Sequence, residues 1–200
     1  MPKEYSVHLI KRIPIGGGLG GGSSNAALTL KFLCNKWNIK WSPKDLEKQG
    51  KKIGADVPFF INGGFQLVTG IGDILRIEDV HIIKDLFFVL IIPSINISTK
   101  EAYEKLNKRL EDSKKHNKFS PFKLPIKWEL LENDFEKNIC ETYPEIAAIK
   151  QKLYKSNALY AGLSGSGSTV FGVFDNLKRA QSVLKIFPQY KTFLTSPKTH

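Results

Sequence analysis

Hydrophobic and polar positions along this 200-residue chain change period several times, and each change predicts an element. YSVHLIKRI, residues 5–13, alternates apolar and polar positions and carries β-branched residues, the period-two pattern of a strand. Ala26, Ala27, Leu30, Leu33, Cys34 and Trp37 then recur at helical spacing and predict an amphipathic helix. Its start is expected at SSNAA, where Ser23, Ser24 and Asn25 are all good N-caps. Ser42 followed by Pro43 marks the start of a second helix. After a turn at GADVP and a short apolar run, FFI, the glycines and alternation of GGFQLVTGIGDILRI predict a hairpin.

The character then changes. LFFVLII, residues 86–92, is a continuous apolar run of the kind a central buried strand shows. Residues 100–125 read as a polar helix followed by a long surface connection, and residues 133–158 carry two helical patterns separated near Pro144. YAGLSGSGSTVFGVF predicts strand, tight polar-glycine turn, strand; NLKRAQSVLKIF predicts a further helix, and KTFLTSPKTH an edge strand. Strands and helices in separate blocks imply an α+β fold in two lobes, with a boundary near residue 80.

Composition narrows the class without deciding it. A hydrophobic content of 42% and a charged content of 24% are those of an ordinary globular protein. No apolar run approaches the roughly 20 residues of a membrane span, and the first residues do not resemble a secretory signal. Cys34 and Cys140 lie far apart without a CxxC spacing, so reduced thiols in a cytoplasmic protein are expected. The net charge of +11 could attract nucleic acid or a small polyanion. Arginine, which reads bases bidentately, occurs only at Arg12, Arg76, Arg109 and Arg179, so no nucleic-acid partner is expected.

The densest chemical signal is PIGGGLGGGSSN, with six glycines among residues 16–22. A flexible linker would separate independent segments, but this run joins a predicted strand directly to a predicted helix. A helix N-terminus carries about half a positive charge and free N–H groups, and glycines before it let a phosphate approach the backbone. Anion binding is therefore expected; a purely structural turn is the alternative. Gly16, Gly18 and Gly21 satisfy G-x-G-x-x-G, but a second helix follows where a dinucleotide fold needs a second strand. The Gly-Lys-Ser/Thr of a Walker loop is absent.

A third type of loop fits. PIGGGLGGGSSNAAL resembles the phosphate loop of the GHMP small-molecule kinases. GADVPFF, Gly54–Phe60, is similar to that superfamily's catalytic-aspartate segment, and GLSGSGSTVFGVF, Gly162–Phe174, to its C-terminal glycine loop. GIGDIL, PSINISTKEAY and NDFE…YPEI also resemble the pattern of the 4-diphosphocytidyl-2-C-methyl-D-erythritol kinases within it. The resemblance implies a ribosomal-protein-S5-domain-2-like lobe over residues 1–80 and a ferredoxin-like lobe over 81–200. It implies phosphorylation by ATP, with Mg2+, of the 2-hydroxyl of a cytidine-diphosphate methylerythritol, in the non-mevalonate route to isoprenoids. A monomer or weak homodimer follows by the same resemblance, with no membrane partner.

By the same resemblance Asp56 orients the attacking hydroxyl and takes its proton; a turn-capping aspartate describes the local backbone equally well. Pro14, Ile15, Gly16, Gly17, Gly18, Leu19, Gly20, Gly21, Gly22, Ser23 and Ser24 correspond to the ATP-phosphate loop. Ser164, Gly165, Ser166 and Gly167 correspond to the loop beside the transferred phosphate, although a tight turn alone would explain their glycines. Thr99 and Tyr103 correspond to positions at the cytidine end of the substrate, with Tyr103 equally readable as a helix core residue. No metal-ligating residues are implied.

One part of the pattern has no counterpart. Members of the superfamily place a lysine-bearing A-K-I-N strand and a G-Y-H segment before the phosphate loop, which here starts at Pro14. Neither Lys3 nor Lys11 sits in that motif. The resemblance therefore implies an N-terminally truncated kinase with an incomplete first lobe and little activity of its own. The alternative is a nucleotide-binding relative without kinase activity.

Overall fold

The computed structural model describes residues 5–70, 72, 74–110 and 124–198. These form two compact units. One runs up to Ile15 and from Gly20 to Asp79; the other takes Gly16–Leu19 and the chain from Val80 onward.

The first unit holds three helices and a hairpin: α1 (Gly21–Lys36), α2 (Pro43–Ile53), α3 (Val57–Asn62), β1 (Gln66–Thr69) and β2 (Ile74–Ile77). Its small core is Ala27 of α1 with Val57 and Ile61 of α3, flanked by Leu30, Leu46 and Phe60. The hairpin is antiparallel, as the alternation predicts, with Gln66 opposite Ile77 and Thr69 opposite Ile74. Gln66 also ties α3 to the hairpin, its Nε2 donating to the carbonyls of Phe59 and Gly63, both at 2.8 Å.

Helix α2 starts where the sequence predicts. Ser42 is its N-cap and Pro43 its first residue, and the Ser42 hydroxyl accepts from Asp45 N–H while the Asp45 carboxylate accepts from Ser42 N–H. The Ser42 hydroxyl also donates to the Asp45 carboxylate at 2.6 Å, and this bond, together with the one from Ser42 N–H, holds the Asp45 carboxyl below its usual value. A depressed folded value means stability that is present above the unfolded value and lost as pH falls through the folded one. Asp45→Asn should therefore unfold at lower urea than the native chain at pH 7. That gap should close as pH falls below the carboxylate range, and an equal gap at both pH values would refute the coupling.

Two local expectations are corrected. Residues 5–13 form no strand, because among the described residues no strand pairs with them and a ladder needs a partner. Tyr5 instead packs edge-on against Phe32 of α1 and tilted against Trp37, the C-cap of that helix, while Ile10 stays 70% exposed. Helix α1 begins at Gly21, with Gly20 as a left-handed N-cap that has no side chain to cap with. Ser23, Ser24 and Asn25 therefore lie inside the first turns, and none is the cap.

The second unit is built on an antiparallel sheet. Its elements are β3 (Phe87–Ile92), α4 (Thr99–Leu110), α5 (Glu136–Thr142), α6 (Pro144–Lys155), β4 (Tyr160–Leu163), β5 (Val170–Phe174), α7 (Leu177–Leu184) and β6 (Lys191–Thr195). Strand order is β4-β5-β3-β6, so the apolar run is an inner strand and KTFLT an edge, as expected. Val89 and Ile91 of β3, Leu153 of α6, Phe174 of β5, Val183 of α7 and Phe187 form the centre of the main core. Pro144 opens α6, which separates the two helical patterns. The surface connection expected beyond α4 falls mainly on residues 111–123, outside the described residues.

Candidate functional site

The glycine run divides between the units. Gly16, Gly18 and Gly20 all have positive φ, at 74°, 72° and 62°, a region that side chains with a Cβ rarely enter. Within the second unit, Gly18 lies so close to the loop after β4 that a Cβ there would overlap the Ser164 carbonyl oxygen. The Ser164 hydroxyl donates to the Gly18 carbonyl at 2.9 Å, and Thr169 N–H donates to the Gly17 carbonyl at 3.2 Å. The two glycine loops singled out in the sequence are thus in direct contact. Pro14 and Ile15 precede this contact on the first unit, and Ile15 is 86% exposed.

Gly20 belongs to the first unit, where a Cβ would come within 2.5 Å of the Phe60 ring. The tight spacing there serves packing against α3. Beyond it, α1 opens with Gly21, Gly22 and Ser23, whose N–H groups have no partner within the helix; the ladder begins with Ser24 N–H donating to the Gly20 carbonyl at 2.9 Å. The first turn carries no acidic residue, and a Cβ on the exposed Gly22 would meet nothing within 4 Å. Free donors, open approach and the positive end of a 16-residue helix coincide here.

Asp56 occupies the N-cap position of α3, exposed, and its side chain makes no capping hydrogen bond. The turn-capping alternative therefore lacks the bond that would define it. Val57, Pro58 and Ile61 behind it are buried, so the backbone at Asp56 is anchored while the carboxylate is in solvent.

In the second unit, Thr99 starts α4 and its hydroxyl lies 3.2 Å from that of Ser166. Tyr103, one turn on, is 52% exposed and stacks edge-on against Phe135 at 4.9 Å, which sets aside the core alternative. In the loop Ser164–Gly167, Ser164 N–H donates to the Thr169 carbonyl and Gly167 N–H to the Ser164 carbonyl, both at 2.9 Å. Those of Gly165 and Ser166 make no hydrogen bond among the described residues. Gly165 is exposed with φ 57°, so the loop presents free donors on a turned backbone, the arrangement of an anion-binding nest.

Beside that loop lies a cavity of about 640 Å³ lined by Trp128, Glu132, Asn133, Glu136, Lys150 and Tyr160, among others. The Tyr160 ring stacks on Trp128 and its hydroxyl donates to the Leu131 carbonyl at 2.7 Å. Burial, with the Glu136 charge adding to it, pushes the Tyr160 phenol up to about 12, so it stays a donor. Asn133 contacts the Ser164 loop directly at the Gly165 carbonyl, and Glu136 accepts from Leu163, the strand residue just before it. Their segment, NDFE, was legible in the sequence as part of a pattern, but nothing local to it announces a partner some 30 residues away.

The GHMP kinases N terminal domain family matches residues 2–64, and the GHMP kinases C terminal family matches residues 124–191. A 4-diphosphocytidyl-2-C-methyl-D-erythritol kinase of Thermodesulfovibrio yellowstonii is 40% identical over 94% of this chain and 68% of its own length. The chain belongs to this family of GHMP kinases. The kinase of the same name from Pelodictyon phaeoclathratiforme is 36% identical over 98% of the chain and 70% of its own length. A solved 4-(cytidine 5'-diphospho)-2C-methyl-D-erythritol kinase superposes with a TM-score of 0.74 at 26% identity, covering 95% of this chain and 69% of that one. Homoserine kinase from Cytophaga hutchinsonii, at 17% identity and a TM-score of 0.69, shares the fold.

The two-lobed α+β kinase expected from the motifs is therefore what the chain is: a GHMP-family phosphotransferase. The expectation that it lacks the family's N-terminal part is overturned, because the N-terminal domain family matches from residue 2 through the phosphate loop, α1, α2 and α3. The inference of weak activity, which rested on that absence, falls with it. Among the described residues no helix is long and apolar enough to cross a membrane.

Proposed function

We propose that this chain transfers the γ-phosphoryl group of ATP to the 2-hydroxyl of 4-diphosphocytidyl-2-C-methyl-D-erythritol. The observation that carries the proposal is the uncapped, acid-free N-terminus of α1, reached through the glycine run, in a chain of this kinase family.

On the first unit, the N–H groups of Gly21, Gly22 and Ser23 and the hydroxyls of Ser23 and Ser24 hold nucleotide phosphate. Asp56 orients the substrate hydroxyl and takes its proton as the oxygen attacks. Its exposed carboxylate, on an anchored backbone and without a capping bond, supports that role. On the second unit, the N–H groups of Gly165 and Ser166 hold phosphate oxygens, and Thr99 and the exposed Tyr103 hold the cytidine end. The assignment of these tasks to lobes 1–80 and 81–200 is part of the proposal, with Gly16–Leu19 counted with the second unit.

When bound, ATP supplies the phosphoryl group and Mg2+ neutralises its phosphate charge. The described residues contain no group of three or more His, Cys, Asp or Glu side chains that could cage a metal. Mg2+ suits this setting, since it keeps several waters and binds largely through nucleotide phosphates.

The test is ADP release, coupled to a reporter enzyme, with ATP and the cytidine-diphosphate substrate. Release that needs both substrates is expected; release that ignores the cytidine compound would overturn the assignment. A second measurement isolates the helix terminus. Gly22→Asp has room for its side chain and suits the helix dipole, so the folded chain should be at least as stable. Its charge would face the nucleotide phosphates, and calorimetric affinity for Mg-ATP should fall by about tenfold or more. Unchanged affinity would remove α1 from the binding site.

A further inference from the structure

The NDFE segment, Asn133–Glu136, has no part in the chemistry above, yet its side chains reach the loop that carries Ser164 and Gly165. Asn133 Nδ2 donates to the Leu163 carbonyl at 2.8 Å and to the Gly165 carbonyl at 2.9 Å. One amide thereby bonds the residues on either side of Ser164. Its Oδ1 accepts from Phe135 N–H at 3.0 Å, which fixes which end of the amide faces the loop. Both donors and the acceptor of the side chain are in use.

Glu136, the first residue of α5, holds the strand residue that leads into this loop. Its Oε1 accepts from Leu163 N–H at 2.9 Å, and its Oε2 is paired with Lys150 Nζ at 2.6 Å. The Glu136 and Lys150 side chains are both four-fifths buried, so the pair is sheltered from solvent screening. Leu163 is thus held at its N–H by Glu136 and at its carbonyl by Asn133. Between these two residues, Phe135 supports the Tyr103 ring edge-on.

A staple that merely joined α5 to the sheet would need only Leu163, the last residue of β4. Asn133 reaches past the strand end to Gly165, whose φ of 57° lies within the turn itself. An amide suits this place because both partners are carbonyl oxygens, which a carboxylate would repel.

We propose that Asn133 and Glu136 are positioning residues, one on the turn and one on the strand end that enters it, that hold the Ser164–Ser166 segment in the shape from which the N–H groups of Gly165 and Ser166 meet phosphate. This rests on the phosphate role given to that loop under the proposed function. Misplacing a positioned group by about 1 Å can cost on the order of a hundredfold in rate, without comparable loss of substrate affinity.

The experiment is steady-state kinetics with ATP and the cytidine-diphosphate substrate, alongside circular dichroism at the assay temperature. Asn133→Asp keeps the shape and replaces the donors with an acceptor. Its kcat should fall about ten- to a hundredfold while KM for the cytidine substrate stays within about twofold. Glu136→Ala should fall by about tenfold, and Glu136→Gln, which keeps the acceptor for Leu163 N–H, should recover to within about threefold of the native chain. Gly165→Asp, read against Gly165→Asn, tests the loop's phosphate role separately, since both put the same side-chain shape at a φ of 57° and only Asp adds a charge.

A Gly165→Asp more impaired than Gly165→Asn, beside an unimpaired Asn133→Asp, would overturn the positioning role and leave the phosphate role standing. A Gly165→Asp no more impaired than Gly165→Asn would overturn both. Equal losses in Glu136→Gln and Glu136→Ala, or a kcat loss in Asn133→Asp that only follows its loss of folded protein, would reduce the segment to a structural staple.

Discussion

Asp56→Asn should lower kcat by about two to four orders of magnitude while leaving Mg-ATP affinity nearly unchanged. Asparagine preserves the size and planarity of the side chain and removes its ability to take a proton. Because the Asp56 side chain makes no capping hydrogen bond, the substitution breaks none at the start of α3. Val57, Pro58 and Ile61 stay buried behind it, so the fold of the first unit should not change. The loss would then belong to the chemical step. Calorimetry with Mg-ATP and a single-turnover assay separate the two quantities. A fall in kcat of less than about tenfold would demote Asp56 to a backbone position.

Gly18→Ala should destabilise the chain by at least about 2 kcal/mol, the largest stability effect expected in the glycine run. Two costs add. A φ of 72° is unfavourable for a residue with a Cβ, and the Cβ would overlap the Ser164 carbonyl oxygen and lie 2.9 Å from that of Gly167. Both obstacles are backbone, so no rotamer change relieves them. The added methyl also pushes against the turn that Ser164 ties to Gly18. Gly22→Ala is the matched control, since it enters open space in a helix and should stabilise by up to about 1 kcal/mol. Urea unfolding compares the two. Equal midpoints would mean that the contact between the glycine loops carries no stability.

Where the deciding interaction is local, the sequence was sufficient. Ser42-Pro43 set the start of α2 because the capping box closes within three residues. The hairpin of residues 66–77 followed from its glycines and alternation, and the inner strand 87–92 from a continuous apolar run too short for a helix and suited to a strand inside a sheet. The family was legible because its glycine loops and the Asp56 segment are short contiguous motifs in a set order.

Tertiary structure decided what depends on distant partners. The alternation of residues 5–13 was real, but a strand exists only with a neighbour to complete its hydrogen bonds. The start of α1 moved to Gly21, because Gly20 takes a left-handed turn against Phe60, 40 residues away in the chain, and the serines were left inside the helix. Gly16–Leu19 joined the second unit through Gly17 and Gly18, whose carbonyls accept from Thr169 and Ser164. The hold of Asn133 on that same turn, and of Glu136 on the strand end before it, was likewise invisible, since a side chain's reach across some 30 residues is set by how the chain returns, and no local pattern encodes it.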